Sequence, residues 1–118
     1  MKTALITGVS GGMGAATAAK LISEGYRVVG LDVKEPESDD FAFIKTDLTD
    51  PSSVEAARLA VDDAGIKLDC IVNMAGIYDL NSLVEMDEEE FVRIFNVNLF
   101  AAYRVNKAFL PYLARTAG

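Results

Sequence analysis

The sequence contains no histidine and only one cysteine, Cys70, in 118 residues. Without histidine these residues cannot build a Ser-His-Asp triad, a Cys-His pair, a His-ligated metal or an imidazole base. A single cysteine makes neither an internal disulfide nor a thiolate metal cage. That pattern suits a reducing cytoplasm, which is the expected location, with no metal site. Basic residues are also few. Lys plus Arg number 11 against 18 Asp plus Glu, a formal charge of -7. Such a chain repels phosphate backbones and anionic membrane surfaces, so neither nucleic acid nor membrane is an expected partner. No apolar run approaches the ~20 residues of a membrane span. The apolar stretch after Met1 and Lys2 stops at Gly8, too short for the core of a signal peptide.

What is present is a core. Hydrophobic residues make up 51% of the chain, enough to exclude disorder at the size of one small domain. Thr3 to Thr7 reads as a buried strand. A glycine loop, Gly8 to Gly14, leads into a helix over Ala15 to Ser23 with Gly25 at its C-terminal cap. Arg27 to Val33 and Phe41 to Lys45 read as the second and third strands. Asp50-Pro51 fits an N-cap with proline in the first turn, opening a helix through Val54, Ala57 and Val61 to Gly65. Leu68 to Asn73 is the fourth strand. Asp87 with Glu90 makes an acidic capping signature before a long helix.

Strands alternating with helices predict an α/β fold with a parallel sheet. Right-handed crossovers give a Rossmann-like strand order 3-2-1-4 in a three-layer α/β/α arrangement. One link is short. Lys34 to Asp40 contains Pro36 and four acids, so a tight acidic loop replaces the crossover helix there.

Glycines after a first strand let a phosphate approach the backbone, and the following helix N-terminus offers free N–H groups. The loop contains no lysine, which excludes a P-loop. Asp32 ends the second strand, where an acid can hydrogen-bond ribose hydroxyls and repel a 2′-phosphate, favouring NAD over NADP. The bland alternatives are a plain strand-to-helix turn and a solvated strand end.

Thr7-Gly8-Val9-Ser10-Gly11-Gly12-Met13-Gly14 has the spacing TGxxxGxG, which resembles the short-chain dehydrogenase/reductase family. Thr46-Asp47-Leu48-Thr49-Asp50 resembles its motif after the third strand. Asn73-Met74-Ala75-Gly76 resembles its NNAG motif, with Met74 in place of the second Asn. Val97-Asn98-Leu99 resembles its VNL motif. The resemblance implies a hydride-transferring oxidoreductase acting on an alcohol or carbonyl substrate. Gly8, Ser10, Gly11, Gly12, Met13 and Gly14 would surround the pyrophosphate, and Asp32 the ribose. Asp47 and Leu48 would flank the adenine, and Asn73, Ala75 and Gly76 would line the adenosine side. Asn98 would be catalytic, holding a water in the proton relay.

Asn98 is the polar member of a stripe at helical spacing, Phe91, Ile94, Phe95, Asn98, Ala102, Val105 and Phe109, and is therefore expected to be buried. Its alternative reading is a core amide bonded to backbone. Tyr103 and Lys107 have the Y-x-x-x-K spacing of the family's catalytic pair but fall five residues beyond Asn98 on the same helix. They are read instead as a packing or oligomer face. The family's catalytic Ser, Tyr and Lys and its later strands are then absent, so the chain looks like the N-terminal half of a dehydrogenase, cut before the fifth strand and inactive alone. Residues 1–118 are accordingly read as one incomplete NAD(P)-binding domain. Tyr78 to Leu83 either borders the pocket or is a surface loop. The fourth strand would be an open edge that invites pairing. The remaining alternatives are a non-catalytic dinucleotide-binding module and a dimerisation element built on the helix from Asp87.

Overall fold

The computed structural model describes residues 1–78 and 80–116, with side chains as far as Leu113. Asp79 in the Tyr78–Leu83 segment, and Ala117 and Gly118 at the expected end of the long helix, lie outside the described residues. Four strands, β1 (Thr3–Thr7), β2 (Arg27–Asp32), β3 (Ala42–Lys45) and β4 (Cys70–Asn73), form one sheet in the order β3-β2-β1-β4. All three pairings are parallel.

Alternation of side chains divides the core into two layers. Leu5, Val29 and Leu31 face α2 (Pro51–Asp63) and α4 (Ala101–Thr116), where Val54, Ala57, Val61, Ala101, Val105, Phe109 and Tyr112 are buried. Ile6 and Val28 face α1 (Gly12–Ser23) and pack with Val9 and Ala18. The three-layer expectation therefore holds. Every residue of β1 is buried, as suits a central strand covered on both faces.

No helix joins β2 to β3, in line with the short acidic link. The reason is visible at Gly30. A Cβ there would lie 2.5 Å from Val9 Cγ1 and 2.9 Å from a Phe41 ring carbon. The missing side chain lets Phe41 fold onto the sheet face, which covers part of it without a helix.

Two expectations are corrected. Helix α1 begins at Gly12 rather than Ala15, because the chain turns helical inside the glycine loop and Ala15 N–H already donates to Gly11 O at 2.8 Å. The long helix is not continuous. It runs as α3 (Glu88–Phe95), a π-helical segment (Asn96–Phe100) and α4. The wide turn changes which face is inward. Phe91 and Phe95 are 46% and 42% exposed and Asn98 is exposed as well, whereas Ala101, Val105, Phe109 and Tyr112 are buried. The single stripe through Asn98 assumed a straight helix. The buried positions Ala101, Val105, Phe109 and Tyr112 all lie in α4, beyond the π-helical segment. A π-helical turn takes more residues than an α-helical one, so it rotates the positions before it relative to those of α4.

Candidate functional site

The parallel register brings the ends of all four strands to one edge of the sheet. Thr7 pairs with Leu31 and Asn73, and Asp32 with Lys45. In open α/β sheets ligands bind outside these carboxyl ends, where the strand order reverses. A cleft of about 560 Å³ lies there. The β1 and β2 ends contribute Gly8, Asp32 and Val33, and the segment after β3 contributes Thr46 to Thr49. Ala75 to Ile77 follow β4, and Glu89, Val92, Arg93, Asn96 and Val97 come from the helix.

Six of the expected residues, Gly8, Asp32, Asp47, Leu48, Ala75 and Gly76, thus meet in one cleft. Ser10, Gly11, Gly12, Met13, Gly14, Asn73 and Asn98 are not among its lining residues. The Ser10–Gly14 loop joins the cleft through Gly8 and through Asp32, whose Oδ2 accepts from Ser10 N–H at 3.0 Å. Sequence reasoning missed the helical wall. Its signal was available, since Glu89, Val92, Arg93, Asn96 and Val97 recur at spacings of three and one, one face of a helix.

The glycines serve different ends. Gly8 has φ +69°, and a Cβ on it would lie 2.7 Å from Ala75 N. Both facts demand glycine. A Cβ on Gly14 would lie 1.9 Å from Gly8 O, so this residue lets α1 close against the end of β1. At Gly12 a Cβ would meet nothing within 4 Å. Packing inside the chain does not require glycine there.

Helix ends point to the same place. Asp50 caps α2 by accepting from Ser52 N–H, and Asp87 caps α3 by accepting from Glu90 N–H. Helix α1, with Gly11 at its N-cap, has no side-chain cap and no acid in its first turn. No side chain of the first turn offsets the positive end of its dipole.

Asp32 is held in place by backbone. Besides Ser10 N–H, Val33 N–H and Lys34 N–H donate to Oδ1 at 2.7 and 3.3 Å, and Ser10 Oγ donates to Lys34 O at 2.6 Å. A carboxylate offers about four acceptor positions, so one remains for a hydroxyl. Asp47 is oriented by Thr49, whose N–H and Oγ1 donate to Oδ1 at 3.0 and 2.6 Å.

The turn after β4 is built on Thr7. Its buried Oγ1 accepts from Met74 N–H at 3.1 Å and Ala75 N–H at 3.2 Å. The main chain of Met74 makes this bond, which is why methionine in place of asparagine leaves the turn intact. Asn73 Nδ2 donates to Asn106 Oδ1 at 3.0 Å. The expected burial of Asn98 is overturned. Its amide is exposed yet exchanges two bonds with the main chain of Ile77, because the wide turn presents it to the loop after Gly76 rather than to the core. Tyr103 and Lys107 do approach each other, with Lys107 Nζ donating to Tyr103 Oη at 3.4 Å. Neither lines the cleft, and Tyr103 is 62% exposed. Among the described residues no cluster of potential ligands could hold a metal, and no helix is long and apolar enough to cross a membrane.

Comparison with known proteins agrees with this arrangement. A family model for short chain dehydrogenases matches residues 2–118. The 3-oxoacyl-[acyl-carrier-protein] reductase FabG of Vibrio cholerae is 36% identical over 117 residues, covering 92% of this chain and 48% of that protein. The ligand-free aldohexose dehydrogenase of Thermoplasma acidophilum superposes with a TM-score of 0.90 at 32% identity, over 97% of this chain and 45% of that one. A short chain dehydrogenase from Leptospira borgpetersenii with bound NAD+ superposes with a TM-score of 0.85 at 28% identity, over 98% of this chain and 45% of that one. The chain spans about half the length of the curated relatives it matches. With its strand order, glycine loop and family match in agreement, the chain belongs to the short-chain dehydrogenase family.

Proposed function

We propose that this chain is the dinucleotide-binding part of an NAD-dependent oxidoreductase that transfers hydride between the cofactor and an alcohol or carbonyl substrate. The observation that carries this reading is the cleft itself. The end of each of the four strands leads into residues that line it or brace it, beside an uncapped helix N-terminus. The residues suit a dinucleotide. Gly12 leaves open space beside the α1 N-terminus for the pyrophosphate, with Gly11, Met13, Gly14 and Ser10 around it. Asp32 retains an acceptor for the ribose and disfavours a 2′-phosphate. Asp47 and Leu48 would flank the adenine, and Ala75 and Gly76 the adenosine, with Asn73 behind them.

When bound, the nicotinamide supplies the hydride chemistry. The chain's own contribution is to bind and orient it, with Asn98 as the relay residue beside the loop at Gly76. The Tyr, Lys and Ser that would move the proton at the substrate are not identified in these residues, so the chain alone is read as inactive. The exposed Phe91, Phe95, Leu99 and Phe100 support self-association through the helix beginning at Glu88. A cytoplasmic location fits the single cysteine. Titration of the chain with NADH, followed by nicotinamide fluorescence, tests the reading. Saturable enhancement with preference over NADPH is expected, and no binding of either would overturn it.

A further inference from the structure

Arg104 lies outside every motif in the sequence, yet it joins two walls of the cleft. Its Nη1 donates to Leu48 O at 3.0 Å and to Asn96 Oδ1 at 2.7 Å. Leu48 belongs to the segment after β3, and Asn96 to the π-helical segment. Both line the cleft, and Arg104 reaches them from behind.

The contact depends on the wide turn. Asn96 and Arg104 are eight positions apart. In a straight α-helix eight residues advance about 800°, leaving the two side chains roughly 80° apart around the axis. One extra residue in a wide turn brings them within about 20°. Helical side chains lean toward the N-terminus, so Arg104 can extend back along that shared face to Asn96. The same shift aims the guanidinium at the Leu48 carbonyl.

The bonds are directional rather than ionic. Among the described residues the ion pairs are Lys20–Glu24, Glu55–Arg58 and Glu90–Arg93, and none includes Arg104. Both bonds leave the one nitrogen Nη1 of a half-buried guanidinium, whose two hydrogens are fixed in the guanidinium plane, whereas a lysine ammonium rotates freely. The Phe100 ring lies beneath it, 6.0 Å from ring centroid to Cζ, and limits its movement.

We propose that Arg104 is a positioning residue for the adenine end of the nucleotide, setting the Asp47–Leu48 segment at a fixed distance from the π-helical wall. It touches no nucleotide and acts through the Leu48 carbonyl and Asn96. The inference rests on the dinucleotide reading above. The resemblance puts Asp47 beside the adenine, where its carboxylate would accept from the amino group, so loss of Arg104 degrades adenine selectivity along with affinity.

The test is fluorescence titration of the full chain and its R104M and R104K variants with two probes. One is NADH. The other is reduced nicotinamide hypoxanthine dinucleotide, in which an oxygen replaces the adenine amino group. R104M is expected to weaken NADH binding about tenfold and binding of the hypoxanthine analogue less than about threefold. R104K, whose rotating ammonium keeps donors but does not fix the two bond directions, is expected to fall between wild type and R104M. Wild-type affinity for NADH in R104M, or equal losses for the two probes, would overturn the proposal. If R104M melts below the assay temperature, R104K decides, and an unchanged NADH-to-analogue ratio in it overturns the proposal. A wild-type chain that binds neither probe refutes the dinucleotide reading itself, and Arg104's role with it.

Discussion

Asn98 and Ile77 hold each other by two hydrogen bonds of equal length. Ile77 N–H donates to Asn98 Oδ1 at 2.7 Å, and Asn98 Nδ2 donates to Ile77 O at 2.7 Å. One side-chain amide thereby imitates a strand partner and joins the loop after β4 to the π-helical segment. Gly76 lies within this contact, since a Cβ on it would come 3.3 Å from Asn98 Oδ1. The amide both holds the loop and sits next to Gly76, which is proposed to line the adenosine.

This reciprocity predicts an order of effects. Asn98→Ala removes both bonds, but water can reach the exposed Ile77 groups, so the loss of stability should stay near 1 kcal/mol. Asn98→Asp keeps an acceptor for Ile77 N–H and sets a carboxylate against Ile77 O. It should therefore weaken NADH binding at least as much as alanine, despite being closer in shape. Melting curves and NADH titrations of the two variants check this. An aspartate variant that binds like wild type would show that the Nδ2 bond is dispensable.

The glycines give a sharper contrast. Gly14→Ala forces a Cβ within 1.9 Å of the Gly8 carbonyl, backbone against backbone, and should destabilise the fold by about 2–3 kcal/mol or more. Gly12→Ala adds a methyl into open space in a helical position. It should leave the melting temperature unchanged or raise it slightly, because alanine loses less entropy than glycine in a helix. The same methyl would obstruct the pyrophosphate and reduce NADH affinity about tenfold or more. Thermal melts and titrations of this pair separate folding from binding. Equal behaviour in both assays would argue against a phosphate at Gly12.

The two halves of the molecule differ in how much the sequence discloses. The strands and their order are legible because short apolar runs alternate with helical ones, and because chirality restricts the crossovers. Asp32, Asp47 and the glycines are legible because each sits at a strand end, and strand ends converge. The helix from Glu88 is less so. Its caps are local and readable in Asp87 and Glu90, but its inward face depends on a wide turn that a straight-helix period does not contain. Arg104 is hidden for another reason. Its bond to Leu48 joins positions 56 apart, and only the packed fold brings them together.

Cofactor choice should follow Asp32. Asp32→Ser removes the charge that disfavours a 2′-phosphate and leaves Lys34 nearby. The ratio of NADPH to NADH affinity should rise about tenfold or more. Part of the NADH loss will be structural, since Ser10, Val33 and Lys34 N–H groups lose their acceptor. Asp32→Asn removes the charge with the least change of shape, although its one acceptor oxygen can serve Ser10 N–H or the Val33 and Lys34 N–H groups and not both. Parallel titrations with both nucleotides give the ratio, and an unchanged ratio in both variants would remove Asp32 from specificity.

Acid sensitivity should concentrate at the start of α2. Hydrogen bonds from the Ser52 side chain and N–H, reinforced by Ser53, hold the Asp50 carboxyl below its usual value. The folded state therefore favours the ionised form more than the unfolded chain does. Its contribution is present in full above the ordinary value of 3.8 and is lost as pH falls through the lower folded value. Glu55 shifts the same way because Arg58 donates to it. Asp50→Asn retains a capping oxygen without the charge. Wild type should melt higher than this variant at pH 7, and the gap should close as the pH is lowered below 3.8. A gap that persists under acid would place the Asp50 contribution in the geometry of the cap and not in its charge.

The last relationship concerns the sheet edge. Strand β4 pairs with β1 on one side, and among the described residues no strand pairs with its other side. Its residues Cys70, Ile71 and Val72 are only half-buried, unlike those of β1. A strand edge with unpaired N–H and C=O groups is a template for another strand. The 118-residue chain in isolation should therefore associate, with a light-scattering mass above 12.7 kDa that rises with concentration. The apolar side chains exposed at Phe91, Phe95, Leu99 and Phe100 add to this tendency. Urea should dissociate the assembly at or before the loss of helical signal if the edge is what holds it. A concentration-independent monomer that unfolds in one cooperative step would show that four strands suffice.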